Sequence, residues 1–218
     1  MMLLRSPFLP PDDVERLRRE ADGLAFRDGR ASAGAFARRV KTNLQADPAA
    51  AKGVADFVVA RLRTDPVVQA AAWPRQIGAV MITRSDPGMG YGPHVDNALL
   101  GEGAARLRGD LAFTLFLSEP DAYDGGDLVI MAADGERRFK PPAGGLVLYP
   151  ASTVHRVETV TRGLRLAVVG WIESSVRAQY QRDILFDLAN LRSDLTDPAQ
   201  VLILDKAIGN LLRAWAQA

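Results

Sequence analysis

The chain has no cysteine, which excludes disulfides, thiolate metal sites and cysteine nucleophiles in one step. Any metal it holds must therefore be bound through nitrogen and oxygen. An excess of one charge is also missing. The 27 Lys and Arg face 26 Asp and Glu, a formal net charge of +1, so there is no electrostatic footprint for a nucleic acid. No run approaches the roughly 18 apolar residues of a membrane span. Near the N-terminus, Arg5, Pro7, Pro10 and Pro11 interrupt the continuous apolar stretch that a secretory signal needs. These absences predict a cytoplasmic protein with neither a nucleic-acid nor a membrane partner. Histidine is scarce as well: His94 and His155 are the only two.

What is present divides into three zones of one expected domain, residues 1–218. Residues 1–75 read as helical support. Val14, Leu17, Ala21 and Leu24 recur at helical spacing, and Asp47-Pro48 and Asp65-Pro66 have the form of an N-cap followed by proline at the first helical position. Residues 76–174 change to short β-rich runs separated by Gly, Pro and Asp. Eight are predicted: 76–84, 94–97, 110–118, 127–132, 136–140, 145–149, 154–160 and 164–174. Eight short strands suit a jelly roll, so the expected class is mainly β with flanking helices (α+β) around a double-stranded β-helix. Helical spacing returns in residues 175–218. There Asp197-Pro198 precedes a stripe of Val201, Leu204, Ile208, Leu211 and Trp215, expected to cover the chain's own sheet or, alternatively, to form a homodimer contact.

His94 opens a His-Val-Asp triplet with Asp96. In a strand over 94–97 both side chains leave the same face, because the side-chain period is two. His155 opens a later β-rich run that a two-sheet fold can return beside the first. Two neutral imidazoles and one carboxylate occupy one face of an octahedral Fe(II) and leave positions open for an oxo-acid cosubstrate and dioxygen. His94, Asp96 and His155 are thus the candidate metal and catalytic residues. Arg165, ten residues after His155, opens an apolar run in which an unpaired guanidinium is costly. Its partner is either the far carboxylate of 2-oxoglutarate or an internal Asp or Glu.

Other motifs carry less chemistry. The glycine- and proline-rich segment 84–93 lacks a nucleotide fingerprint and reads as a mobile rim of the site, with Tyr91 either lining the pocket or packed as an ordinary tyrosine. The pairs Gly125-Gly126 and Gly144-Gly145 read as tight turns without a chemical role. Arg137, Arg138 and Lys140 read as a solvated face or protected edge of a strand, with an anionic-substrate site as the alternative.

Together these residues resemble a known family, the iron- and 2-oxoglutarate-dependent dioxygenases of the prolyl-4-hydroxylase-like group, and within it the PKHD-type hydroxylases. The likeness is carried by Tyr91-Gly92-Pro93-His94-Val95-Asp96-Asn97, by Leu115-Phe116-Leu117-Ser118 through Tyr123-Asp124-Gly125-Gly126-Asp127-Leu128-Val129-Ile130, and by Pro142 through Pro150. Val154-His155-Arg156-Val157, Arg165, Trp171-Ile172 and the helical tail with Asn210 to Trp215 extend it.

The resemblance implies Fe(II) on His94, Asp96 and His155, 2-oxoglutarate on Arg165, and ascorbate as reductant. It also implies a hydroxyl contact from Thr114 to the cosubstrate. The implied reaction is hydroxylation of a substrate, itself not named by the sequence, with release of succinate and carbon dioxide. One departure stands out: Ser85 occupies the position where the wider group usually has a tyrosine that contacts the cosubstrate, so a water or Tyr149 is expected to take over. Two rival readings use the same pocket, a noncatalytic iron or 2-oxoglutarate sensor and a zinc hydrolase.

Overall fold

The computed structural model describes residues 2–34, 37–103 and 106–217. In chain order the strands and α-helices are β1 (Leu3–Arg5), α1 (Pro11–Asp22), β2 (Phe26–Asp28), β3 (Leu44–Ala46), α2 (Lys52–Thr64), α3 (Pro66–Ala72), β4 (Pro74–Ser85), β5 (Tyr91–His94), β6 (Leu99–Leu100) and β7 (Leu107–Arg108). They continue with β8 (Leu111–Phe116), β9 (Tyr123–Asp124), β10 (Leu128–Ala132), β11 (Gly135–Phe139), β12 (Leu146–Pro150), β13 (His155–Val157), β14 (Arg162–Gly163), β15 (Arg165–Ser174), α4 (Gln179–Asp194) and α5 (Pro198–Trp215).

Two antiparallel sheets organise these elements. The larger runs β1-β12-β8-β15-β4-β3-β2 and the smaller β11-β10-β13-β5, with two-stranded ribbons β14-β9 and β6-β7 beside them. Alternation along β8 shows how the large sheet is used. Leu111, Phe113 and Leu115 pack with Val14, Leu17 and Ala21 of α1, Val54, Val58 and Leu62 of α2, and Val68 of α3. The intervening Ala112 and Phe116 join Leu128, Ile130, Val147 and Tyr149 on the opposite face. Both faces are therefore covered, which is why Leu111–Phe116 is buried throughout and reads as an unbroken apolar run rather than as alternating polarity.

The start signals behave unequally. Asp65 caps α3 by accepting from Val68 N at 2.9 Å, and Asp197 accepts from Ala199 N at 3.0 Å ahead of α5. Asp47 instead closes a turn, accepting from Ala49 and Ala50 N, and α2 begins only at Lys52. The expectation of a purely helical first zone is corrected: β1 forms one edge of the large sheet, and β3 with β2 forms the other. These strands are three residues long, too short to establish a period of two. The tail stripe is also corrected. The α5 helix lies on α4, tied by Arg192 Nε to Asp205 Oδ1 at 2.6 Å, and buries no residue against a sheet.

The predicted strand over 94–97 is displaced. β5 ends at His94, and Asp96 lies in the loop beyond it. The cause is the partner strand: β13 begins at His155, directly opposite His94, and the residues before it form a turn, so ladder partners run out at that point.

Candidate metal centre

The two histidines meet across the β5–β13 ladder, paired in register as His155 with His94. Their ring centroids are 4.2 Å apart. Each ring is oriented by its own local backbone. His94 Nδ1 is 2.8 Å from the Gly92 carbonyl and His155 Nδ1 is 3.0 Å from the Thr153 carbonyl. An Nδ1–H donating to those oxygens leaves each Nε2 as a bare lone pair turned toward Asp96. Burial, reinforced by the neighbouring His155, pulls the His94 pKa down to about 3, so its ring is neutral at pH 7.

Asp96 completes the set although no strand carries it. Its Oδ1 lies 3.8 Å from His94 Nε2 and 3.7 Å from His155 Nε2. The three ligand atoms fall within 4.8 Å of one another. Burial pushes the Asp96 carboxyl up, while His155 and a hydrogen bond from Trp171 pull it back. Trp171 Nε1 donates to Asp96 Oδ2 at 2.9 Å and so aims Oδ1 at the imidazoles. Two imidazoles and one carboxylate, without a thiolate, fit a ferrous ion with open positions.

The role of Trp171 was not legible beforehand, since it stands in an apolar strand and reads as core. A bulge in β4 gives it its reach: Val169 pairs with Met81 but Trp171 with Gly78, and the extra residue is accommodated where Ala79 adopts φ 52°. Replacing Trp171 with Phe keeps the ring and removes the donor. Calorimetric titration with Ni(II) as an inert reporter is expected to show affinity lower by roughly 10- to 100-fold, the usual cost of losing an outer-shell partner; wild-type affinity would show that Asp96 is held by other means.

The metal residues sit in a cleft, partly open to solvent, between the two sheets. Its floor is laid in rows by the register of the large sheet. Tyr149, Ala112 and Trp171 share one row, and Val147, Thr114 and Val169 the next. Arg165 stands opposite Ser85. Thr114, Tyr149, Arg165, Ser85 and Tyr91 all line the cleft, so the topology brings every predicted site residue to one place. Tyr91 stacks on His94 at 3.5 Å between centroids. Tyr149 meets His155 edge-on at 5.0 Å, and its phenol interacts with the Thr114 hydroxyl. Burial raises the pKa of both phenols, so both stay protonated and can donate.

Arg165 is 2% exposed. Its Nε donates to the Gly126 carbonyl at 2.8 Å, and its guanidinium lies 5.0 Å from the Phe116 ring centre. Among the described residues Nη2 has no hydrogen-bond partner and the guanidinium no ion pair, its polar side-chain neighbour being the Tyr123 phenol. A buried guanidinium left this way fits a ligand carboxylate rather than an internal ion pair. Its contact with Gly126 corrects the reading of Gly125-Gly126 as a turn without chemical role. Both glycines have positive φ, and a Cβ on Gly126 would come within 3.1 Å of Arg165 Cδ.

The rim segment does approach the cleft through Gly90 and Tyr91. Backbone bonds from Gly88 N to Val160 O and from Val160 N to Met89 O tie it down. On the outer edge, Arg137 and Arg138 pair with Asp134 and Glu158 as a solvated strand should, whereas Lys140 turns inward to the Tyr123 carbonyl.

Comparison with known proteins agrees with this geometry. Residues 80–173 match the 2OG-Fe(II) oxygenase superfamily. A PKHD-type hydroxylase of Synechococcus elongatus is 41% identical over 223 residues, covering 100% of each chain. Another, from Hyphomonas neptunium, is 44% identical over 200 residues, 88% of this chain and 89% of the relative. Among solved structures, a prolyl-4-hydroxylase of Pseudomonas putida superposes with a TM-score of 0.53 at 23% identity, over 79% of this chain and 92% of that one. This chain belongs to the PKHD-type hydroxylases, a family of iron- and 2-oxoglutarate-dependent dioxygenases.

Proposed function

We propose that the protein hydroxylates a C–H bond of its substrate while consuming dioxygen and 2-oxoglutarate. One oxygen atom enters the new hydroxyl group and the other enters succinate, with carbon dioxide released. The observation that carries this reading is a three-ligand set and a buried guanidinium without a carboxylate partner, its Nη2 unsatisfied among the described residues, in one cleft. The two facing sheets serve as a double-stranded β-helix, and residues 1–218 act as one domain.

His94, Asp96 and His155 would hold Fe(II), which supplies the activation of dioxygen when bound. The protein does the rest by position. The Gly92 and Thr153 carbonyls fix the two imidazoles, and Trp171 fixes the carboxylate. Arg165 binds the far carboxylate of 2-oxoglutarate, where Thr114 and Tyr149 offer hydroxyls in place of the tyrosine that Ser85 lacks. Leu128 and Val157 line the same space and exclude water. Ascorbate serves as an external reductant.

No helix among the described residues is long and apolar enough to cross a membrane. A cytoplasmic location is consistent with that. Leu202 and Ile203 lie exposed on α5 and are the residues a homodimer would cover.

The test is aerobic incubation with Fe(II), 2-oxoglutarate and ascorbate across a substrate panel, with succinate measured. Succinate that rises with one substrate and requires iron is expected. Cosubstrate binding without succinate anywhere on the panel would make the protein a sensor, and dioxygen-independent turnover with Zn(II) would make it a hydrolase.

A further inference from the structure

The segment Lys41-Thr42-Asn43-Leu44-Gln45 runs extended along the mouth of the cleft. Lys41 bridges to Tyr91, and Leu44–Ala46 is β3. The alternation of an extended chain puts Lys41, Asn43 and Gln45 on one side, and all three line the cleft. The segment is firmly placed. Thr42 Oγ1 exchanges hydrogen bonds with both the carbonyl and the amide of Gly90, and the Lys41 carbonyl accepts from Arg30 Nε.

Lys41 is 4% exposed, an unusual place for an ammonium. Its Nζ donates to Ser32 Oγ at 2.9 Å and lies 5.1 Å from the Tyr91 ring centre. Among the described residues no carboxylate approaches it within 4.0 Å. The two acids near enough to influence it are otherwise engaged. Asp96 turns Oδ1 to the imidazoles and Oδ2 to Trp171. Asp28 is mostly exposed beside Arg30. An ammonium has three N–H groups, so two of them have no acceptor among the described residues. Gln45 Nε2, further along the row, is also buried without a partner.

Charge accounting gives the same direction, and it rests on the oxygenase reading. With a ferrous ion, a 2-oxoglutarate dianion, Asp96, Arg165 and Lys41 gathered in the cleft, the charges sum to +1. That surplus positive charge is buried, and Lys41 is its member without a direct carboxylate contact among the described residues. We infer that the substrate carries a carboxylate, and that Lys41, seconded by Gln45, binds it and turns the rest of the molecule toward the metal centre. Both free carboxylic acids and acidic peptides offer this group.

The test uses protein loaded with Ni(II) and 2-oxoglutarate, titrated calorimetrically with matched acids and amides. The pairs are N-acetylglycine and N-acetylproline with their amides, and an N-acetylated, C-amidated peptide containing Glu with its Gln counterpart. At least one acid is expected to bind tenfold or more tightly than its amide. A hit only among small acids identifies a metabolite, and one only in the Glu peptide identifies a polypeptide. Lys41→Gln is expected to erase the preference and Lys41→Arg to keep it, with thermal melting reporting that both variants are folded. The proposal is overturned if no acid outbinds its amide, or if Lys41→Gln keeps the preference. If wild-type protein fails to bind 2-oxoglutarate at all, the oxygenase reading itself falls.

Discussion

Alanine at His155, or at His94, is expected to remove metal binding and succinate formation together. Each imidazole would supply one of the three ligands found among the described residues, and the chain has no third histidine to replace it. Outer-shell changes already cost roughly 10- to 100-fold, so loss of a direct ligand should exceed about 100-fold in Ni(II) affinity. The ladder around each histidine is backbone-made, and the small sheet should survive the truncation. Circular dichroism should therefore stay native while calorimetry shows no metal uptake. Retained uptake and turnover in either variant would mean that the centre lies elsewhere.

The second large effect belongs to Arg165. Removing one partner from a buried charge pair costs roughly 3–5 kcal/mol, two to three and a half powers of ten in affinity. Arg165→Leu is therefore expected to raise the 2-oxoglutarate dissociation constant at least 100-fold while Ni(II) still binds. Without cosubstrate the same variant should melt no lower than the wild type, because the guanidinium it loses is buried and only partly hydrogen-bonded. Arg165→Lys should rescue little, since an ammonium cannot reproduce a planar fork that also reaches the Gly126 carbonyl. Unchanged cosubstrate affinity in Arg165→Leu would remove that residue from the site.

Much of this was legible beforehand because the relevant signals are local. Seven of the eight predicted β-runs correspond to strands with shifts at their ends, and β5 is the exception. His94 to Asp96 shows the limit. The pair was found by a same-face argument that needs a strand through both residues, yet the strand stops at the first of them. The pair converges because a loop turns back and Trp171 catches the carboxylate. Trp171, Gly126 and Lys41 were hidden for a common reason. Each acts through a partner at least 39 residues away in sequence or through its place in the cleft, and neither spacing nor local propensity records such distances. No motif in the chain singles out Lys41, and only its burial does so.

The pairing of His155 with His94 has a consequence for how the small sheet is assembled. β5 is an edge strand of four residues whose neighbours are the three-residue β13 and a single bridge to Lys41. So short a ladder specifies its alignment weakly, and a slip of one residue would turn the imidazole of the sliding strand to the opposite face. Only one alignment lets both rings and Asp96 share an ion. Iron held by His94, Asp96 and His155 would therefore favour that register, fastening the edge of the fold as well as seating its chemistry.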